Sequence, residues 1–399
     1  MRILVVSGQW FPDFAGGTAR VVRATAEGFA VRGHEVLAVV PRVSGEPERA
    51  LADGVEVHRA LRRSSLPQTF TDVLEIRRAL KGLSIEGFDV ILAHGEICTI
   101  AAHSVSGGVP VASVFHASAI REARYRRSLG LNIGEALRSR MIEPFLWAYE
   151  RYSMRNARRV LVLSEFSRSL VIDTDREADG RLRVVGGGVD TAMFQPADDR
   201  EELRRRLGIA PGETVLVTAR RLVGRMGLEM LLHAFSSLHE GRGESRLVII
   251  GDGELRGELE AASERLGLAS SVRFAGRLTD SLLRDWYCAA DVFALPTLAY
   301  EGFGMVTTEA LACGTPVVGT RVGATGEILA RLDDRLLADQ VNAGSFAAAL
   351  ERTLALSGPS FRQRCRAYAT EHFAWDSTMD RWEAAVAELC PARERVPSA

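Results

Sequence analysis

At 399 residues the chain is too long for one ordinary hydrophobic core, so two or three domains are expected. An apolar share of 47% and a charged share of 25% exclude a disordered or fibrous chain. A net charge of -1 removes the electrostatic case for nucleic acid or an acidic membrane as the main partner.

Lysine occurs once, at Lys81, so 49 of the 50 cationic residues are arginines. Any anion bound by a side chain must then be met by a guanidinium. Schiff-base chemistry has a single candidate, in the polar helical run EIRRALKGL. The cysteines, Cys98, Cys288, Cys313, Cys365 and Cys390, are odd in number, widely spaced and free of C-x-x-C. They read as reduced, packed thiols, with neither a disulfide frame nor a zinc site. The chain opens into a strand pattern, MRILVVSG, with no apolar run near the roughly 18 residues of a membrane span. A cytoplasmic protein is expected.

Up to residue 190, short apolar runs alternate with helical patterns. RILVVSG, HEVLAVV, DVILAHG, VPVASVFHA, ARRVLVLS and RLRVVGGG are strand candidates. Each is nearly continuous in apolar residues, as strands covered on both faces must be. TARVVRATAEGFAVRG has helical spacing in Val21, Val22, Thr25 and Phe29, with Gly33 as its stop. The alternation predicts a doubly wound parallel sheet. After VDTAMFQPADDREELRRRLGIAPGET the pattern restarts. TVLVTARRL, RLVIIGDG, VRFAGR, VFALPT and PVVGT read as strands, with MGLEMLLHAFSSLHE the clearest helix between them. Two Rossmann-like α/β halves joined near residues 187–200 follow. EHFAWDSTMDRWEAAVAELC reads as a final amphipathic helix.

Ligands of open parallel sheets sit beyond the carboxyl ends of the strands. There the stretch LPTLAYEGFGMVTTEALACGTPVVGT concentrates the chemistry. Glu301 falls in the loop after a strand, and Gly302 and Gly304 let backbone approach a ligand. A helix opens at Met305 and Val306, whose free amides make an anion site. Glu309 lies further along that helix. A phosphate at the helix start with hydroxyls on both sides fits a nucleotide sugar, Glu301 taking sugar hydroxyls and Glu309 the ribose diol.

The pattern E-x7-E within EGFG…EALACGTPVV resembles the retaining glycosyltransferases of family 4, which have the GT-B fold. The likeness extends through FAGGTARVV, RGHEV, LVLSEFSR, GGGVD, ARRLVGRMG, IIGDGE, VRFAGRL and Glu327. It implies an acceptor-side domain at 1–187, joined by a C-terminal crossover helix at 371–390 that carries Trp375 and Trp382. A nucleotide-sugar-binding domain is implied at 188–370, the two domains closing on the donor. It also implies transfer of a sugar from a UDP- or GDP-sugar to a hydroxyl acceptor without cofactor or metal.

Residue by residue, Gly16 and Gly17 fall on the glycine loop near the donor phosphates. His116 falls on the histidine that contacts the sugar near its reacting carbon, and His94 is a weaker candidate on the acceptor side. Backbone at Arg277 and Leu278 would hold the base, and Gly302, Phe303, Gly304, Met305 and Val306 the phosphate. The family clamps the diphosphate with G-R-L-x-x-x-K-G. Here Arg221 takes the family arginine, but Met226 stands at the lysine and Arg220 at the glycine. Arg225, one position earlier, is the candidate replacement. GGGVD replaces the usual P-N-G-V-D. The catalytic set implied is His116, Glu301 and Arg221.

Other readings are a non-catalytic nucleotide-sugar binder and a GT-B epimerase. The D-x-D at Asp173 and Asp175, a metal motif in another glycosyltransferase fold, reads as a polar linker. The stretch 121–159 has ten arginines against four glutamates, with Phe145, Leu146, Trp147 and Tyr149 among them. It reads as a solvated helix pair or a peripheral contact with the inner face of a membrane or a lipid-linked acceptor.

Overall fold

The computed structural model describes residues 1–14, 16–61, 68–128 and 133–390; for 68–71 and 133–139 it describes backbone only. Contacts divide the chain into two compact units, Met1–Gly187 with Trp375–Ala399, and Gly188–Ala374.

The first unit runs β1 (Arg2–Ser7), α1 (Gly17–Val31), β2 (Glu35–Pro41), β3 (Arg49–Ala52), β4 (Val55–Leu61) and α2 (Gln68–Lys81). It continues with β5 (Val90–His94), α3 (Glu96–His103), β6 (Val111–Phe115), α4 (Ala119–Ser128), α5 (Ile133–Asn156), β7 (Arg159–Val162), α6 (Glu165–Thr174) and β8 (Leu182–Val184). The strands order as β3-β4-β2-β1-β5-β6-β7-β8. All pairs are parallel except β3 with β4. Every residue of β5 and β6 is buried, which is why their sequences carry no alternation. α1 buries Ala19, Val21, Val22, Thr25, Ala26 and Phe29 and stops at Gly33, whose amide bonds back to Ala30.

The hairpin of β3 and β4 is absent from the apolar-run reading. Its turn is Asp53-Gly54, both with positive φ (47° and 82°), the geometry of a tight hairpin turn. β4 alternates in burial, so it shows no continuous apolar run.

The second unit runs α7 (Arg200–Arg206), β9 (Thr214–Ala219), α8 (Leu228–Arg242), β10 (Ser245–Ile250), α9 (Arg256–Arg265), β11 (Val272–Gly276), α10 (Asp280–Ala289) and β12 (Val292–Leu295). It ends with α11 (Met305–Ala312), β13 (Val317–Thr320), α12 (Ala324–Leu332), β14 (Leu337–Ala338), α13 (Ala343–Leu356) and α14 (Pro359–Phe373). Its sheet is parallel throughout, in the order β11-β10-β9-β12-β13-β14. The two-residue β14 also escaped the sequence reading.

The last helix, α15 (Trp375–Ala387), belongs to the first unit. The helix expected over 371–390 is therefore shorter, and its first residues belong to α14. The break falls where Ala374 bridges to Val189, with the Val189 amide donating to the Phe373 carbonyl at 2.7 Å. α15 packs on α1. Met379 lies so close to Gly28 that a Cβ there would meet its side chain at 2.7 Å. Trp382 is fully buried and donates Nε1–H to the Gly186 carbonyl at 3.0 Å.

Both sheets reverse direction once: between β1 and β5 in the first unit, and between β9 and β12 in the second. Loops leave such a point to opposite sides and open a crevice at the carboxyl ends. The chemistry-bearing residues gather at these two points.

Candidate active site

In the second unit, β9 delivers Arg220 and Arg221, and β12 delivers the loop from Pro296 to Gly304. Arg220 turns inward, its side chain 4% exposed, and donates to Glu301 Oε2 at 2.8 Å. It also reaches Thr297 Oγ1 at 3.0 Å and the Met226 carbonyl at 3.2 Å. Burial pulls the Arg220 guanidinium down to about 10; Glu301 opposes the shift, while Arg225 and Arg221 add to it. It stays cationic at neutral pH. Arg221 is exposed. Arg225 donates Nη1 to the Tyr300 carbonyl at 3.1 Å.

The loop is held at nearly every residue. The Leu298 amide donates to the Arg225 carbonyl and the Ala324 amide to the Glu301 carbonyl, each at 2.9 Å. Thr320 Oγ1 donates to the Thr297 carbonyl at 2.6 Å. Tyr300 sits at φ 53°, a left-handed conformation that costs about 1 kcal/mol or more outside glycine and persists only where surroundings over-determine it. Gly323 presses on the same loop: a Cβ there would lie 2.4 Å from the Glu301 carbonyl oxygen.

α11 begins as expected at Met305, after Gly304 in the left-handed region (φ 78°) and with no side-chain cap. Gly302, Met305 and Val306 are half-buried. The Phe303 side chain packs edge-on against Phe373 at 6.0 Å, so this residue has only backbone to offer a ligand. Glu309 is 2% exposed and accepts from Tyr287 Oη at 3.0 Å. The helix is buried from Thr307 onward, so the Glu309 carboxylate, expected to take the ribose diol, sits on a buried stretch beside Tyr287. Arg277 is exposed and Leu278 half-buried, both just beyond β11.

In the first unit a cavity of about 410 Å³ opens at the ends of β1 and β5. It is lined by Ser7, Thr18, His94, Glu96, Cys98 and His116, among others. Gly16 and Gly17 are exposed at the start of α1 next to Thr18, with no side-chain cap and no acidic residue in the first turn. His94 Nδ1 and His116 Nε2 share a hydrogen bond at 3.0 Å, and the two rings stack. Behind them His94 stacks on Trp382 at 6.5 Å. Burial pulls His116 down to about 4, and His94 lies well below its ordinary value through burial and the neighbouring His116. Both are neutral at physiological pH. Glu96, the first residue of α3, is pushed up to about 8 by burial and by Glu150. The Cys98 thiol is raised to about 12 by burial and is inert.

Two family descriptions match the chain: Glycosyltransferase Family 4 over residues 15–193, and Glycosyl transferases group 1 over residues 199–372. A D-inositol 3-phosphate glycosyltransferase of Actinosynnema mirum is 31% identical over 402 residues, covering 92% of this chain and 90% of that protein. The chain belongs to glycosyltransferase family 4. An uncharacterised glycosyltransferase of Methanocaldococcus jannaschii is 28% identical over 94% of this chain and 95% of its own length. Other relatives with the inositol-phosphate name match about half of either chain; that of Jonesia denitrificans is 35% identical over 54% of this chain and 55% of its own. Among solved structures, a sucrose-phosphate synthase from Thermosynechococcus elongatus has a TM-score of 0.80 at 21% identity, covering 97% and 98% of the two chains. WaaG, a glycosyltransferase involved in lipopolysaccharide biosynthesis, has a TM-score of 0.76 at 19% identity, covering 98% and 100%. The fold is GT-B.

The departures from the family 4 pattern now have structural content. Met226, at the family lysine, is 6% exposed and packs in the apolar core with Leu222, Leu228 and Leu231. Arg220, at the family glycine, is the partner of Glu301; the sequence reading registered it only as a departure. Its signal was an extra cation at a strand end where a side chain is usually missing. Tyr287 was missed as well.

The D-x-D carboxylates are structural. Asp173 pairs with Arg121 at 2.8 Å. Asp175 is buried and pairs with Arg155 at 2.9 Å and Arg151 at 3.4 Å. Burial alone would raise the Asp175 carboxyl, but the two guanidiniums outweigh it and hold it below its ordinary value. The arginines of 121–159 are largely spoken for in this way: Arg124 and Arg127 by Glu143, Arg126 by Glu122, and Arg159 by Glu388.

Glu96 should make stability fall with pH. Its folded-state value is raised to about 8 from an ordinary 4.5, so the folded chain keeps a proton that the unfolded chain releases. That contribution is intact below about 4.5 and is lost as pH rises through 8, at about 1.4 kcal/mol per unit. Urea unfolding of Glu96→Gln and wild type should diverge in favour of the variant across this window. A constant difference would show that Glu96 is already ionised in the fold.

Proposed function

We propose that this glycosyltransferase moves a sugar from a UDP- or GDP-sugar to a hydroxyl group with retention of configuration, the second unit carrying the donor and the first unit's cavity the acceptor. The observation that carries the reading is the cluster of Arg220, Arg221 and Arg225 beside Glu301 and the uncapped start of α11. It places cations, backbone amides and one carboxylate at the carboxyl end of a doubly wound sheet, the set needed by a diphosphate joined to a polyol. The solved complexes of Anabaena HepE with UDP and with UDP-glucose, and of an Arabidopsis thaliana starch synthase with ADP, support a nucleotide-linked donor.

In this reading Arg221 and Arg225, with the amino end of α11, meet the charge that develops on the departing diphosphate. Glu301, oriented by Arg220, takes sugar hydroxyls. The acceptor oxygen forms its bond to the anomeric carbon on the face the diphosphate leaves, and a diphosphate oxygen receives the acceptor's proton. His116, neutral at working pH, orients the sugar by hydrogen bonding and carries no charge. A ribose diol at Glu309 meets a carboxylate that already accepts from the Tyr287 hydroxyl at Oε2. Guanidiniums fill the role a metal has in other folds, so no metal is proposed.

The test is release of free nucleotide from a panel of UDP- and GDP-sugars, with and without EDTA, by wild type and Arg221→Ala. Release from one donor class, insensitive to EDTA and lowered roughly tenfold or more by the substitution, is expected. A folded protein that releases nothing from any donor rejects the reading.

Peripheral membrane contact is proposed from a separate observation. Met141, Ile142 and Phe145 on α5 are 76%, 45% and 49% exposed. None of the described helices is long and apolar enough to cross a membrane. Co-sedimentation with anionic vesicles at low salt is expected, and is to be lost in Met141→Glu/Phe145→Glu.

A further inference from the structure

Two histidines of the first unit share one hydrogen bond, and its direction fixes what His116 offers a ligand. β5 and β6 pair in parallel with His94 opposite Val114, so His116, just past the end of β6, comes to stand beside His94. His94 Nδ1 and His116 Nε2 lie 3.0 Å apart. The His94 ring also stacks on Trp382, at 6.5 Å and 16° between planes. Trp382 is in turn anchored by its Nε1–H on the Gly186 carbonyl at 3.0 Å. The partners of the shared bond are thus fixed, and only its proton has a choice.

Burial keeps both rings neutral at physiological pH, so each carries one ring proton. Two arrangements satisfy the shared bond. In one, His94 donates from Nδ1, its Nε2 is a bare lone pair, and His116 carries its proton on Nδ1. In the other, His116 donates from Nε2, its Nδ1 is bare, and His94 carries its proton on Nε2. His94 decides between them. It lines the cavity and is 4% exposed, and among the described residues its Nε2 has no hydrogen-bond partner. A buried N–H with no acceptor is costlier to leave than a bare lone pair. His116 is half-buried at the cavity wall, where solvent can meet its Nδ1 in either arrangement, so it does not oppose that preference.

We infer that His94 is a positioning residue that donates to His116 and so holds the His116 proton on Nδ1, the nitrogen left for a ligand. His116 then meets a sugar or acceptor oxygen as a hydrogen-bond donor. It has no lone pair with which to take the acceptor's proton, which agrees with a diphosphate oxygen as the proton's destination. The inference deepens, and rests on, the proposed role of His116 in orienting the sugar. α15 gains a part in the site, since Trp382 sets the plane of the ring that orients His116.

The test has two arms, both on the full chain. Nitrogen NMR of ring-labelled histidine, assigned by single substitutions of His94 and His116, separates protonated from bare ring nitrogens. At neutral pH both rings should carry their proton on Nδ1. A proton on Nε2 of His116 overturns the inference whatever the variants do. The second arm compares His94→Leu, His94→Asn and His94→Gln. Leucine removes the donor, asparagine places an amide N–H where Nδ1 stands, and glutamine moves it to the place of Nε2. Transfer, as kcat/KM, should fall about tenfold in His94→Leu and His94→Gln, and asparagine should restore it to within about threefold of wild type. Activity that follows each variant's unfolding midpoint, or that is equal in all three, marks a merely structural histidine and overturns the inference. If a variant fails to fold, the NMR of the wild type still decides where the proton lies. Absence of transfer by the wild type from every UDP- and GDP-sugar sinks the glycosyl-transfer reading alone, since the NMR arm needs no substrate.

Discussion

Glu301→Gln should lower kcat/KM for sugar transfer by roughly a hundred- to a thousandfold and also weaken the fold. The two effects have different origins. Transfer suffers because a carboxylate proposed to bind sugar hydroxyls becomes a neutral amide, and removing one preorganised polar contact to the transition state costs about 2.7–4 kcal/mol. Stability suffers because Arg220, whose side chain is 4% exposed, loses its counter-charge at 2.8 Å. Stranding one member of a buried pair costs about 3–5 kcal/mol, an upper range here because Glu301 keeps 16% of its side chain exposed. A fall of roughly 6 °C or more in the thermal midpoint is expected for a unit of this size. Arg220→Met in the same background separates the effects. With both charges gone the buried pair is replaced by an apolar side chain, and the midpoint should recover while activity does not. If the double variant recovers activity, Glu301 has no role in sugar binding.

The strands covered on both faces were legible because burial on two sides forbids polar residues, and β1, β5, β6 and β9 announce themselves as apolar runs. β3 was not legible by that criterion: its four residues alternate between exposed and half-buried at the sheet edge. The usable signal there was the Asp53-Gly54 turn between alternating segments. In the site, the Glu301 loop was readable from local chemistry, since two glycines, a carboxylate and a helix start lie within five residues of one another. Arg220 was not. Consecutive residues at a strand end point to opposite sides, and nothing local says which member of Arg220-Arg221 folds inward. That is settled by Glu301, 81 positions away. The same holds for the bond between His94 and His116. Each stands at the end of its own strand, and only the pairing of β5 with β6 brings the two rings together.

Arg225→Ala should reduce kcat/KM by roughly a hundredfold or more, with the donor KM rising. Two losses combine. One is a guanidinium that is proposed to bind the diphosphate, and hydrogen bonds to charged groups are each worth about 1.5–3 kcal/mol. The other is the bond from Nη1 to the Tyr300 carbonyl, one of the contacts that keep Tyr300 at positive φ next to Glu301. Arg225→Lys should recover part of the donor affinity, because a point charge remains, but less of kcat, because one ammonium does not reproduce a guanidinium fork reaching both phosphate and carbonyl. Restoring the family lysine by Met226→Lys in the Arg225→Ala background should not rescue the enzyme. Met226 packs among Leu222, Leu228 and Leu231 and is 6% exposed, so the ammonium would enter an apolar core and lower the unfolding midpoint. The short turn Gly224–Met226 explains the exchange: it directs position 226 into the core and position 225 toward the loop. Rescue of donor KM by Met226→Lys, with the midpoint unchanged, would show that the phosphate site lies on the Met226 side of this turn and that Arg225 only braces the loop.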